Sequence, residues 1–204
     1  MPPAPQSQHT AVTRAAILAG GLSSRMGREK ALLPFQGVPL ITRIASLLRP
    51  LFPDLTVVTA NPEVARAAGC PSVADVYPGC GPLGGIHAAL GEDTRPCLVV
   101  ACDLPFLNAA FLRHLCGLWN GHDAVVPFSD GGPEPLQAVY GGACVTTFGR
   151  HLAAAATGTR VPSLRRIMTE VSVLEVPVEM ARRFDPELAL FENWNTPGDL
   201  RDTL

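Results

Sequence analysis

Short apolar runs alternate along the chain with stretches of helical periodicity. The run at residues 96–101 is apolar throughout, as in a central parallel strand buried on both faces. Further strands or extended segments are predicted at residues 15–18, 55–59, 124–127 and 136–140. Helices are predicted at residues 39–51, at about 62–68, from 86 onward, and from 108 to about 119.

This alternation of strands and helices, from residue 15 to residue 127, predicts an α/β fold. We expect a Rossmann-like, mostly parallel sheet with helices on both faces, joined by right-handed crossovers. Ligands of such sheets lie at the carboxyl ends of the strands. No internal repeat or linker divides the sequence, so we expect a flexible leader over residues 1–13 and a single domain over residues 14–204.

Composition narrows the candidate partners. The 204 residues carry a formal charge of -2, which gives no general attraction for nucleic acid or an anionic membrane, so a polyanion site must be local. No apolar stretch approaches about 20 residues and no export signal is visible, so we expect a cytoplasmic protein. The six cysteines lack Cys-x-x-Cys spacing, which is typical of reduced, mostly buried thiols and disfavours a zinc site.

A glycine-rich, cationic loop follows the first predicted strand, at residues 18–30. Gly20 and Gly21 lack a Cβ, so the backbone N–H groups can approach anionic oxygens, while Arg25 and Lys30 add positive charge. The spacing fits neither the Walker P-loop nor the dinucleotide-binding fingerprint. The loop therefore predicts a nucleoside triphosphate site, with a glycine-rich turn bearing solvated charges as the alternative.

A carboxylate comes directly after the apolar run at residues 96–101. Asp103 is a hard, ionised oxygen ligand, as Mg²⁺ held between protein and triphosphate requires. An aspartate here can also turn the chain or cap the helix predicted from Asn108. Because the ends of parallel strands meet at one edge of the sheet, the glycine-rich loop upstream favours the metal site.

A second glycine-rich segment extends from Asp75 to Ala89. Its glycines and prolines predict a shaped loop that contacts the nucleotide, followed by a helix from Ile86 whose amide groups face the cleft; a surface turn is the alternative. His87 is expected to pack within this helix rather than act as a base. The residues predicted to contact the nucleotide are Gly81, Pro82, Leu83 and Gly84.

Five strings, in order, resemble one family. They are Leu-Ala-Gly-Gly-x-Ser-x-Arg-Met-Gly-x-x-Lys at residues 18–30, Asp-x-x-x-Gly-x-Gly-Pro-Leu-Gly-Gly-Ile at 75–86, Cys-Asp-x-Pro-Phe at 102–106, Pro-Leu-Gln-Ala-Val-Tyr at 135–140 and Asn-Thr-Pro-Gly-Asp-Leu at 195–200. The chain resembles the molybdenum cofactor guanylyltransferases of the MobA type, which have the nucleotide-diphospho-sugar transferase fold. The likeness is weakest at residues 146–192.

The resemblance implies transfer of GMP from GTP to the terminal phosphate of molybdenum-bearing molybdopterin, with Mg²⁺ as cofactor and release of pyrophosphate. Proteins that insert or receive the finished cofactor are further candidate partners. It also implies residue roles: GTP binding at Leu18, Ala19, Gly20, Asn61 and Asp75, phosphate contact at Lys30, and both Mg²⁺ and nucleotide at Asp103. The chain departs from the family pattern at Glu29, where Asp is frequent, and at Glu134, where His is frequent.

The chemistry implied needs no protein base, because the attacking phosphate is already anionic. The enzyme must still neutralise the charge of the phosphates and align the two substrates. We assign these tasks to Arg25, Lys30 and Asp103 with its Mg²⁺. A cytidylyltransferase or sugar-phosphate nucleotidyltransferase of the same fold is the alternative among enzymes. Among proteins that are not enzymes, the alternative is a nucleotide-binding protein that catalyses no reaction.

Overall fold

The computed structural model describes residues 11–20 and 29–194. Its strands are β1 (Arg14–Leu18), β2 (Pro34–Phe35), β3 (Val38–Pro39), β4 (Asp54–Val58), β5 (Ser72–Val73), β6 (Cys97–Ala101), β7 (Ala124–Ser129), β8 (Gly132–Pro133), β9 (Gln137–Tyr140) and β10 (Val173–Val176). Its α-helices are α1 (Leu40–Leu48), α2 (Pro62–Ala68), α3 (Pro82–Leu90), α4 (Ala109–Gly117), α5 (Ala143–Ala156), α6 (Leu164–Ile167) and α7 (Val178–Arg182).

The main sheet has the strand order β10-β7-β9-β6-β1-β4-β5, and β8 pairs with β7 beside it. All neighbours along this order are parallel except at β9, which runs antiparallel to both β6 and β7. The predicted α/β class and mostly parallel sheet are therefore confirmed. The extended segment predicted near residues 136–140 is the strand that breaks the parallel order.

The apolar core lies on both faces of this sheet. One cluster packs α1, α2, α4 and α7 against it, and a second cluster packs α3, α5 and α6 against the other face. The five residues of β6 are buried, as expected of a strand covered on both sides. Helices therefore cover both faces, as the sequence predicts.

One predicted boundary is wrong and bears on the site. Helix α3 begins at Pro82, not at Ile86, so Gly84 and Gly85 belong to its first turns rather than to a loop. Proline suits the first helical turn because its fixed φ is helical and the N–H it lacks has no helical partner there. Leu83 and Ile86 are fully buried against the sheet, and this packing outweighs the low helix propensity of the glycines.

The cysteines are free thiols in the described ranges. Cys97 and Cys144 are buried, and Cys70, Cys80, Cys102 and Cys116 are half-buried, in agreement with the predicted mostly buried thiols. No helix in the part of the chain that the structure describes is long and apolar enough to cross a membrane.

Replacing Asn108 tests the local stability of the segment that follows β6. Its side-chain oxygen accepts hydrogen bonds from the N–H groups of Ala110 and Phe111, and its amide donates to the Phe184 carbonyl. Asn108→Ala should lower the free energy of unfolding by about 1–2 kcal/mol in urea titrations. The exposed Asn120→Ala is the control and should stay within about 0.5 kcal/mol of the parent; equal effects of the two would contradict the cap.

Candidate active site

The site begins where β1, β4 and β6 end side by side. In the sheet register Leu18 lies opposite both Val58 and Ala101. The pairing continues one residue further, because the Ala19 N–H donates to the Val58 carbonyl and the Cys102 N–H donates to the Leu18 carbonyl, each at 3.0 Å. The chain is therefore held between two neighbours at the point where the glycine-rich loop starts.

Leu18 and Ala19 are buried, so their side chains belong to the core and a ligand can reach only their backbone. A Cβ at Gly20 would lie 3.7 Å from the Val58 carbonyl oxygen, which is an ordinary contact. Steric crowding therefore does not require glycine at this position. Gly21 and Arg25 lie outside the described residues. Their assigned roles at the triphosphate stay predictions.

Asp103 lies two residues beyond β6, and its carbonyl accepts a hydrogen bond from the Trp194 N–H at 2.8 Å. Its Oδ1 atom is buried, and within residues 11–20 and 29–194 it has no hydrogen-bond partner. Burial raises the pKa of the carboxyl group, against a smaller lowering by its own backbone N–H and by Lys30. A buried carboxylate oxygen without a partner is costly, and a divalent cation is the kind of group that compensates it.

The capping alternative for Asp103 does not hold. Helix α4 begins after Asn108, whose side chain itself receives the first amide groups of the helix. The Asp103 side chain takes no part in that cap in the described structure. The carboxylate is therefore not occupied by the cap, and its oxygen is the kind of ligand that magnesium accepts. Within the described residues no group of three or more His, Cys, Asp or Glu side chains could hold a metal ion by itself.

Lys30 begins a short 3-10 helix, Lys30–Leu32, directly after Glu29. Its charge lowers the pKa of Asp103, though by less than burial raises it. Lys30, the predicted phosphate-binding cation, therefore acts electrostatically on Asp103, the predicted metal ligand.

Asn61 already has a structural task. It caps α2, because its Oδ1 accepts a hydrogen bond from the Glu63 N–H at 2.9 Å. Its own N–H donates to the Thr59 hydroxyl, and its Nδ2 donates to Glu29 at 3.4 Å. The amide links the start of α2 to the residue before Lys30, and its contact with GTP stays a prediction.

Asp75 lies against the first turn of α3. Its Oδ1 accepts a hydrogen bond from the Tyr77 N–H at 2.8 Å. A Cβ at Gly84 would lie only 2.7 and 2.8 Å from the two carboxylate oxygens, so any side chain there would collide with Asp75. Gly81, with φ of +64°, precedes this turn in a conformation that favours glycine. Pro82, Leu83 and Gly84 therefore form a helical turn rather than a loop, and of these three only Pro82 is exposed.

His87 packs as expected from the sequence. Its ring meets Tyr77 edge-on at a centroid distance of 5.5 Å. Burial lowers its pKa, against a smaller raising by Asp75, so the imidazole is neutral at neutral pH. His87 is therefore a packed helix residue rather than a general base facing a reacting group.

Two further polar residues lie near this edge: Gln137, which the sequence does not single out, and Glu134, which stands where the family pattern has His. Gln137 is 1% exposed on β9, opposite Val100, and its amide has no hydrogen-bond partner among the described residues. Glu134 is half-buried, accepts a hydrogen bond from the Ser129 hydroxyl at 2.6 Å, and has its pKa raised by burial. For Gln137, the sequence signal is a polar residue inside the otherwise apolar run 136–140.

Comparison with known proteins identifies the family of the chain. The family model of the MobA-like NTP transferase domain matches residues 15–173. The chain belongs to this family. A MobA-like NTP transferase from Pelotomaculum thermopropionicum, named "Probable molybdenum cofactor guanylyltransferase", is 38% identical over 186 residues, covering 90% of this chain and 88% of the relative.

Two further family members cover most of the chain. The "Molybdenum cofactor guanylyltransferase" of Desulfosudis oleivorans is 32% identical over 187 residues, which is 90% of each chain. The crystal structure of molybdopterin-guanine dinucleotide biosynthesis protein A from Archaeoglobus fulgidus is 32% identical, with a TM-score of 0.78, covering 93% of this chain and 96% of the other. The nucleotide-diphospho-sugar transferase fold and nucleotidyltransferase class are thereby established for this MobA-like chain.

Replacing Gly84 tests the close packing of Asp75 on α3. Gly84→Ala should destabilise the fold by about 1–3 kcal/mol, because the added methyl collides with the carboxylate. The matched control is Gly117→Ala in α4, where a Cβ meets nothing within 4 Å and helix propensity favours alanine by up to about 1 kcal/mol. Urea unfolding should give opposite signs for the two variants; stabilisation by both would contradict the contact.

Proposed function

We propose that this chain transfers GMP from GTP to the terminal phosphate of molybdenum-bearing molybdopterin, forming the guanine dinucleotide cofactor and pyrophosphate. The names of the related proteins support the reaction. The observation that carries it is the buried, unpartnered Asp103 oxygen beside Lys30, at the edge of the sheet from which the glycine-rich loop leaves β1.

In this proposal Asp103 holds Mg²⁺, and Arg25 and Lys30 place positive charge around the triphosphate. When bound, Mg²⁺ withdraws charge from the phosphate oxygens and favours departure of pyrophosphate. Backbone amides near Gly20 and Gly21 give further hydrogen bonds to anionic oxygens. The nucleotide extends from there past Asn61 and Asp75 toward Gly81, Pro82, Leu83 and Gly84.

The acceptor phosphate attacks the α-phosphorus of GTP in line with the departing pyrophosphate. Since this phosphate is already anionic, the site needs no general base, in keeping with the packed state of His87. Two polyanions must approach each other, so most of the catalytic effect comes from charge neutralisation and alignment. Positioning alone is worth up to about 7–11 kcal/mol in comparable intramolecular reactions.

Two other functions share the glycine-rich loop. A cytidylyltransferase or sugar-phosphate nucleotidyltransferase would use the same phosphate contacts with a different base or acceptor. A non-catalytic nucleotide-binding protein would have no need of Lys30 and Asp103 together, and both are present. The buried charge of Asp103 favours an enzyme, since such groups cost stability and concentrate at functional sites.

Base preference separates guanylyl from cytidylyl transfer. We expect GTP to bind at least about a hundredfold more tightly than CTP, because a site that hydrogen-bonds the guanine edge leaves polar groups unpaired with another base. Calorimetric titration of both nucleotides in the presence of Mg²⁺ measures this ratio. ATP and UTP serve as further controls, and equal affinity for CTP and GTP would overturn the guanine assignment.

Asp103→Asn tests the metal ligand. The change keeps the shape of the side chain but removes its charge, so Mg²⁺-dependent transfer of radiolabelled GMP to molybdopterin should fall by about a thousandfold or more, each tenfold being about 1.4 kcal/mol of barrier. Thermal stability without metal should be retained, because the ionised carboxylate is unfavourable when buried.

The control is Asp54→Asn at the start of β4, which removes an exposed ion pair with Arg95 at the opposite edge of the sheet. This variant should keep near-normal transfer. Near-normal transfer by Asp103→Asn at saturating GTP and ordinary Mg²⁺ would exclude it as the metal ligand and direct the search to Asp75.

A further inference from the structure

A cavity of about 410 Å³ lies outside the residues assigned so far. It lies between one face of β7 and β10 and the segment that contains α6. Its lining combines apolar walls with one positive and one negative side chain; the residues that matter here are Phe128, Pro133, Arg165, Met168, Val173 and Glu175. A mostly apolar space with a few charged groups is typical of a site for a small organic molecule.

The cavity shares an edge and a face of the sheet with the proposed nucleotide site. β7 runs in the same direction as β6, with the antiparallel β9 between them, so their carboxyl ends point the same way. At the usual strand spacing the cavity lies about 10–14 Å from the end of β6. Val126 and Met168 pack in the same apolar cluster as Leu83 of α3. The cavity therefore lies on the same face of the sheet as α3, to which the guanine side of the nucleotide is assigned.

Arg165 and Glu175 are exposed at the cavity, and neither forms an ion pair in the part of the chain that the structure describes. The backbone of the β7–β8 turn faces the guanidinium group, since a Cβ at Gly132 would lie 3.6 Å from Arg165 Nη2. An ion pair between Arg182 and Asp130 fixes that turn to α7. The cavity thus has a defined wall and two charged groups with hydrogen-bonding capacity to spare.

We propose that this cavity binds the pterin end of the acceptor, with Glu175 and Arg165 recognising the aminopyrimidinone edge of the ring. This inference rests on the proposed function. The 2-amino group and the adjacent ring N–H of a pterin are paired donors that suit a carboxylate, and its carbonyl oxygen accepts from a guanidinium. Phe128 and Met168 supply apolar surface for the planar ring.

Guanine presents the same hydrogen-bond donors and acceptor as the pterin. The location of the cavity relative to the nucleotide site therefore decides which of the two rings it binds. The residues assigned to GTP follow β1, β4 and β6 or lie on α3, on the far side of β9 from the cavity. The α-phosphorus must lie near Asp103, between the nucleotide and its attacker. The acceptor phosphate attacks from the side away from the nucleotide, which assigns the pterin to the cavity and the guanine to the side of α3.

The experiment compares Glu175→Gln and Arg165→Gln with matched controls away from the cavity. Glu187→Gln and Arg113→Gln remove the same charges from exposed sites. At saturating GTP, both cavity variants should raise the KM for molybdopterin by about tenfold or more, as expected for loss of a charged hydrogen bond, while kcat and the Kd for GTP change less than about threefold. The controls should match the parent in all three quantities.

A second measurement does not depend on turnover. Pterin-6-carboxylate should bind saturably to the parent and both controls, detected by quenching of its own fluorescence, and Glu175→Gln should weaken that binding about tenfold or more. If the parent binds this pterin but transfers no GMP, the proposed function fails while the cavity assignment stands. Unchanged KM in both cavity variants, absence of saturable pterin binding, or weakened GTP binding in place of acceptor binding would each overturn the cavity assignment.

Discussion

The parallel hydrogen-bond ladder of β4, β1 and β6 is the constraint on which the site depends. Its register sets Leu18 between Val58 and Ala101, and the two backbone bonds beyond it hold the chain to Cys102 on one side and Val58 on the other. A shift of one residue would turn every side chain of the central strand to the opposite face. The fully buried residues of β6 prevent such a shift, because both faces are filled by core clusters.

That ladder explains why a charged group can be held where water is scarce. Asp103 is carried on the end of the most apolar strand, and Trp194 fixes its carbonyl. An ionised oxygen in this position destabilises the empty protein, and Lys30 offsets part of that cost. In the proposed function, the same desolvation strengthens the attraction of this carboxylate for a metal ion, so the site would exchange some stability for binding strength.

Much of this arrangement follows from the sequence because the signals are local. The unbroken apolar run predicts β6, and the position of Asp103 after it predicts the exposed end of a strand. Other features depend on contacts between distant segments. Packing of Leu83 beneath the sheet starts α3 at Pro82 despite the glycines that follow, and the antiparallel direction of β9 is set by its pairing with β6. The burial of Gln137 and the cavity near Glu175 likewise arise only when strands far apart in sequence become neighbours.

The central claim is that Asp103 holds the metal ion at the junction of β1 and β6. Crystals grown with a non-hydrolysable GTP analogue and Mn²⁺ in place of Mg²⁺ test it directly, because manganese is located by its anomalous scattering. We expect a manganese peak at coordination distance, about 2.0–2.3 Å, from the buried oxygen of Asp103 and within reach of the phosphates. A peak coordinated by Asp75 instead, or a nucleotide bound with Asp103 far from any metal, would contradict it.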